Sequence, residues 1–168
     1  KVNSISRQLV SGEIDLDTAY QQFQNLKESD YPSWLKDIGL VIMCGCYAAL
    51  YGATLLEMFV AGIAAIVLPL VYKLDAKLGL GMFITNLVSI IPMVIIICYL
   101  QETIFPSIHI GIPIIGAIMP AVPGTAITNA IRDTLRGDYN SGTARAVEAA
   151  VTALSISIAV VNGLLIGG

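Results

Sequence analysis

Residues 119–150, MPAVPGTAITNAIRDTLRGDYNSGTARAVEAA, hold most of the ionisable side chains in the otherwise apolar second half of the chain. An unpaired ion in hydrocarbon costs kilocalories, so these charges must be paired, solvated or functional. The Pro123-Gly124 break, with Thr125 as N-cap, predicts a helix running to about Arg136. Its free N–H groups and positive dipole end would then face the break, an arrangement suited to a carboxylate. Thr128, Asn129 and Arg132 can donate to the same anion, Arg132 with two bonds at once. Asp133, Asp138 and Glu148 are acceptors for an ammonium group or a proton, and Arg145 stands three residues before Glu148 on one helix face. The candidate solute-binding set is therefore Pro123, Gly124, Thr125, Thr128, Asn129, Arg132 and Asp133, and the candidate proton- or ion-coupling set is Asp133, Asp138, Arg145 and Glu148. A second reading lays residues 125–136 flat on a membrane surface with solvated charges and Glu148 paired to Arg145. The spacing leaves both open.

The elements that must position these residues are set by composition. The chain has 168 residues, 56% hydrophobic and 12% charged, and a mean hydropathy of +0.79, well beyond what a soluble domain of this size requires. Residues 38–122 carry only Glu57, Lys73, Asp75, Lys77 and Glu102 as charges, besides the lone His109. The formal net charge of −3 and the lack of a basic cluster exclude nucleic acid as a partner. Cys44 and Cys46 project to nearly opposite faces of a helix and cannot share a metal, so these two and Cys98 read as small buried hydrophobes. Neither cofactor nor metal is expected. A polar run precedes the first apolar segment, so no secretory signal is expected, and Lys1 in place of a methionine reads as a start partway into a longer product.

Residues 1–10 and 15–27 read as short amphipathic helices separated at Gly12, the second capped by Asp15 and striped with Leu16, Ala19, Tyr20, Phe23 and Leu26. Tyr31, Pro32 and Trp34 suit the membrane interface just ahead of the first span. Residues 38–72 are too long for one span of about 20 residues and are split near 52–57, with Glu57 by the far surface and Pro69 bending the second span. Gly45, Ala49 and Ala53 form a small-residue ridge on the first span. A third span, residues 80–100, carries Thr85, Asn86, Ser89 and Pro92, either as polar glue between helices or as the lining of a path. A broken fourth span follows, with His109 in the loop before it. The fifth, residues 141–166, has a ridge of Ala149, Ala153 and Ser157. The expected fold is an all-α polytopic membrane protein with five transmembrane helices, one broken at Pro-Gly. Residues 1–36 form a cytoplasmic helical segment and residues 37–168 the five-span domain. All nine Lys and Arg then fall on one side, which puts the N-terminus in the cytoplasm and the C-terminus outside.

The run VPGTAITNAIRDTLRGDYNSGTARAVEAA resembles the signature of the threonine/serine exporter family, in which Pro-Gly is followed by Thr-Asn-Ala-Ile-Arg-Asp, then Gly-Asp, Ser-Gly and Ala-Arg with Glu-Ala. Val2-Asn3, Ser6-Arg7, the Gly-Glu-Ile before the second helix and Tyr31-Pro32 extend the resemblance over nearly the whole chain. It implies half of an inner-membrane secondary transporter for small amino acids, or for a small dicarboxylate such as succinate in the branch built from two separate subunits. Its partners would be the solute, membrane lipid and a second five-span half, as a separate chain or another copy. It also implies ion-coupled export, with Glu148 or Asp133 as carrier. Two rivals come from other classes. A scaffold or channel-forming subunit fits the small-residue ridges. A membrane-embedded hydrolase would need Ser141 or Thr125 activated by Asp138 or Glu148, and the sequence lacks Gly-x-Ser-x-Gly and His-Glu-x-x-His.

Overall fold

The structure, a computed structural model, describes residues 2–26 and 31–168. The described residues are helical throughout, with no strand among them, and the chain divides into two compact units, residues 1–35 and 36–168.

In the first unit α1 (Val2–Val10) and α2 (Leu16–Gln24) pack through Ile5 and Ala19, the two buried residues of the pair. Asp15 caps α2 as expected, its carboxylate accepting from the Leu16 N–H at 2.7 Å. Of the predicted stripe only Ala19 is buried; Leu16, Tyr20 and Phe23 lie exposed. The expected helix end at residue 27 lies outside the described residues.

The second unit begins within α3 (Ser33–Leu50), which ends in a turn at Gly52, where φ is +82° and a side chain would be strained. Thr54 then starts α4 (Leu55–Ala64) with a capping box: Glu57 accepts from the Thr54 N–H at 2.7 Å while Thr54 Oγ1 accepts from the Glu57 N–H at 3.3 Å. The split expected near residues 52–57 is thus a tight helical hairpin. α4 and α5 (Val67–Leu78) form one apolar length interrupted at residues 65–66. Pro69 explains the interruption, because its missing N–H leaves the Ala65 carbonyl to a three-residue bond from Leu68 instead. The helix α6 (Met82–Thr103) carries Pro92 internally.

α7 (Gly111–Ile118) runs into a short 3₁₀ turn (Met119–Ala121), and α8 (Gly124–Leu135) leaves it at 55°. α9 (Tyr139–Gly167) closes the chain. Ser33–Leu50, Leu55–Leu78, Met82–Thr103 and Tyr139–Gly167 are each long and apolar enough to cross a membrane, and the bent pair can make a fifth crossing. The outer faces are apolar too: Leu50, Leu55, Leu70, Leu154 and Leu165 are all exposed. Such surfaces suit hydrocarbon rather than water, and the molecule is a polytopic membrane protein.

α6 and α9 make the most extensive helix pairing, and they run parallel. Met82 meets Thr152, Asn86 meets Ser155, Val94 meets Gly163 and Cys98 meets Gly167, both numbers rising together. Two parallel spans need a return crossing between them, and the bent α7–α8 pair is the segment placed to supply it. The core joins Leu68, Ile90, Met93, Val94, Ile97, Ala117 and Ile156.

The expected ridges are displaced. On α3 Gly45 is buried but Ala49 is exposed, and the contact face is Cys44, Gly45 and Ala48. Gly116 approaches there so closely that a Cβ on it would lie 2.6 Å from Ala48 Cβ. On α9 Ala149 is buried whereas Ala153 and Ser157 are exposed. The buried series is Ala149, Thr152, Ile156, Ala159 and Gly163. Cys44 and Cys98 are buried as expected, but Cys46 is exposed.

Candidate solute site at the broken helix

The break is a product of its two prolines. Pro123 has no N–H to return to Pro120, and the Gly124 N–H bonds the Val122 carbonyl at 2.8 Å, so the Pro120 carbonyl loses the bond a continuous helix would give it. α8 begins at Gly124 with Pro123 as its N-cap and no side-chain cap. Thr125 is therefore inside the first turn, not at the cap. It is displaced from the cap because Pro123, not Thr125, supplies the residue whose carbonyl takes the first helical bond, from the Ile127 N–H at 3.1 Å. With the Gly124 N–H taken by Val122 and no side chain capping the helix, the carboxylate-binding reading would draw on the N–H groups that follow Gly124.

Beyond the break, Thr128 turns its hydroxyl back to the Gly124 carbonyl at 2.9 Å. Asn129 is half-buried, and Arg132 lies out on the exposed face. Asp133 is held by α9: Arg145 Nε stands 3.0 Å from its Oδ2, and Arg132 Nε 3.8 Å from its Oδ1. Asp133 is the more buried partner, with its side chain 16% exposed against 45% for Arg145. The expected Arg145–Glu148 pair does not form, since Arg145 reaches across to α8, and Glu148 is exposed with no ion pair among the described residues. Asp138 is the N-cap of α9, accepting from the Ser141 N–H at 3.2 Å. The Ser141 hydroxyl first, then this N–H bond and the Arg145 charge, hold its carboxyl below the ordinary carboxylate range. Of the candidate coupling residues the structure thus pairs Asp133 with Arg145 and sets Asp138 beside them, its N–H on the Asp133 carbonyl at 3.0 Å and its carboxyl within reach of the Arg145 charge, while Glu148 makes no ion pair among the described residues.

α8 and α9 meet closely because Gly142 has no side chain; a Cβ there would lie 2.3 Å from Thr134 Oγ1 and 3.2 Å from the Ala130 carbonyl. The third-span polar residues divide their roles. Asn86 donates to Ser155 Oγ at 2.8 Å, the interhelical glue that one reading expected, and Ser89 bonds the Thr85 carbonyl on its own helix at 2.7 Å. Thr85 Oγ1 is buried without a partner. Thr85 and Asn86 also line a pocket of about 290 Å³ with Tyr72, Asp75, Met82, Pro120 and Ala121. Asp75 had read as one charge of a hydrophilic turn, and only the fold shows that this turn closes on the helix break.

Glu57 was likewise undervalued. It is 3% exposed, and besides the capping box its Oε1 accepts from the His109 N–H at 2.9 Å, tying the α3–α4 hairpin to the loop before α7. Its spacing from Thr54, three residues, was the legible signal.

A protein of Klebsiella aerogenes named probable succinate transporter subunit YjjP is 24% identical over 161 residues, covering 92% of this chain and 60% of its own length. The chain thus spans about three-fifths of that relative. No solved structure matches. The sequence pattern of the ThrE family, described as a threonine/serine exporter, matches residues 1–167, and the chain belongs to that family.

Proposed function

We propose that this chain is one half of a secondary transporter that exports a small amino acid or a small carboxylate across the bacterial inner membrane. The observation that carries the proposal is the family match across residues 1–167. The uncapped start of α8 at a 55° break supports it, because broken helices of transporters present N–H groups to solute carboxylates in this way. Its N-terminus lies in the cytoplasm and its C-terminus outside, with residues 1–36 as a cytoplasmic helical segment. It acts without covalent chemistry and works with a second five-span half, a separate chain or another copy, in membrane lipid. The solute binds along Pro123, Gly124, Thr125, Thr128, Asn129, Arg132 and Asp133. Asp133 and Arg145 couple transport to an ion, with Asp138 and Glu148 as the further acidic groups.

Counterflow in proteoliposomes tests this, using the chain with whatever partner half copurifies and Arg132→Gln, Asp133→Asn and Glu148→Gln made singly. Saturable exchange of preloaded solute is expected, falling at least tenfold in the Arg132 and Asp133 variants. Unchanged exchange in all three removes the site but keeps the transport. Linear, non-saturating flux favours a channel subunit, and solute turnover in detergent, where no gradient exists, favours a hydrolase.

A further inference from the structure

The pocket between the end of α5, the start of α6 and the 3₁₀ turn is lined by Tyr72, Asp75, Thr85 and Asn86 among its polar side chains. At about 290 Å³ it sits near the lower end of ligand pockets, roughly 300–1,000 Å³, which fits a solute of a few heavy atoms. Its polar groups are unlike those of α8. Asp75 supplies a half-buried carboxylate with no ion pair among the described residues, and Asn86 an amide already oriented by its bond to Ser155. Tyr72 adds a phenol, and Pro120 and Ala121 close the side nearest the break. No Lys or Arg lines it, and the neighbouring Lys73 is taken by Asp37.

Thr85 supplies a second, independent pointer. It is 5% exposed, lines the pocket, and its hydroxyl lacks any partner. A buried hydroxyl left unbonded costs about 1–3 kcal/mol, and native structures satisfy most such groups with protein, water or ligand. Its oxygen is closed off from the pocket, so a bound solute would satisfy it only once the Thr85 side chain turned toward the space it borders.

We infer that this pocket receives the ammonium group of a small zwitterionic solute, with Asp75 as its counter-ion and Tyr72, Asn86 and, on turning toward it, Thr85 as the neighbouring polar side chains. The inference rests on the transport reading above and narrows it. The carboxylate end of the same solute is left to the uncapped N–H groups of α8, which starts three residues beyond Ala121. A dicarboxylate has no group for Asp75 and would bring a second anion beside it, so the pocket selects against dianions by unpaired charge. The chain then differs in solute class from what the name of its Klebsiella relative states for that protein.

The test is ligand-induced thermal stabilisation of the full chain, with its copurifying partner, in lipid nanodiscs. The probes are threonine, N-acetylthreonine, which keeps the carboxylate but loses the ammonium, and succinate. Wild-type protein is expected to be stabilised by threonine alone. Asp75→Asn should weaken threonine binding about tenfold to a hundredfold, the range for a hydrogen bond to a charged group, and Thr85→Val should weaken it less. Helix content by circular dichroism confirms that both variants fold, and Asp75→Glu should recover part of the affinity. Equal stabilisation by succinate, threonine binding indifferent to Asp75→Asn, or no threonine binding at millimolar concentration overturns the inference. Counterflow separates the two proposals: exchange that persists undiminished in Asp75→Asn leaves transport standing without this pocket, whereas Asp75-dependent binding without exchange leaves the pocket standing without transport.

Discussion

Asp133 is the residue whose meaning changed most between sequence and structure. In the sequence it is one acid among three, an acceptor for an ammonium group or a proton, and spacing along a helix suggests that Arg145 belongs with Glu148. Contact across two helices overrides that local rule: Arg145 spends its guanidinium on Asp133, 3.0 Å away, and Glu148 is left to its surroundings. With Arg145 45% exposed, solvent screens the pair, so a double-mutant cycle of Asp133→Ala and Arg145→Ala should give a coupling energy of only about 0.2–1 kcal/mol. Unfolding in mixed micelles measures it, and Glu148→Gln should leave stability unchanged. Asp138 gives a pH signature. Its carboxyl is held low in the folded state by the Ser141 hydroxyl and N–H, so its contribution is present above the unfolded carboxylate range and is lost as pH falls through the folded value. Protection of the Ser141 amide, its exchange relative to an unstructured peptide at the same pH, should therefore fall only in acid, and Asp138→Ala should show the lower protection already at neutral pH. The break itself was readable from Pro123-Gly124, because a missing N–H is a property of the residue. The partner of Asp133 and the pocket that Asp75 lines were not, because they depend on which helices meet.

At the scale of the helix, the third and fifth spans were legible as apolar lengths, and the first two as a hairpin whose turn Gly52 and Thr54 mark. Their packing faces were misread by a fixed four-residue step. At about 100° per residue, four residues overshoot a full turn by about 40°, so Ala149, Ala153 and Ser157 drift off any straight contact line. The observed series from Ala149 through Thr152, Ile156 and Ala159 to Gly163 alternates steps of three and four and stays in the seam with α6. Gly163 is its tightest point, since a Cβ there would lie 2.6 Å from Val94 Cβ and 3.2 Å from the Ile91 carbonyl. Neither is the free end of a flexible chain, so one of the helices must shift. Gly163→Ala is accordingly expected to destabilise by about 1–3 kcal/mol, the range for overpacking a filled core. Ala153→Leu, on the exposed face of the same helix, should leave the stability of this chain unchanged. Thermal unfolding of both in detergent checks the pair, and equal effects would mean that the seam has been placed on the wrong face.

For the molecule as a whole, sidedness follows from the way the helices are tied together. Lys73, midway along α5, pairs with Asp37 in the first turns of α3, and the pocket joins the α5–α6 turn to the 3₁₀ turn before α8. Lys36, Lys77, Arg132, Arg136 and Arg145 all flank these same helix ends in sequence. At the opposite end Glu57 binds the His109 N–H, and no Lys or Arg lies between residues 50 and 57 or between 100 and 110. The parallel course of α6 and α9 requires the chain to cross back between them, and this is the fact that decides whether α7 and α8 cross the membrane or return to the side they left. On the orientation proposed above, from the positive-inside rule, the Lys73 end is the cytoplasmic one. With Cys44, Cys46 and Cys98 replaced by alanine, single cysteines at Lys77 and Arg136 should therefore resist a membrane-impermeant thiol reagent in intact cells and react in inverted vesicles. Cysteines at Glu102 and Gly168 should show the reverse. If Glu102 and Arg136 instead label from one side, α7 and α8 form a re-entrant loop, α6 and α9 must run antiparallel, and the contacts between Asn86 and Ser155 and between Val94 and Gly163 cannot both exist. The labelling pattern thus tests the helix pairing that holds the broken helix in place as well as the count of spans.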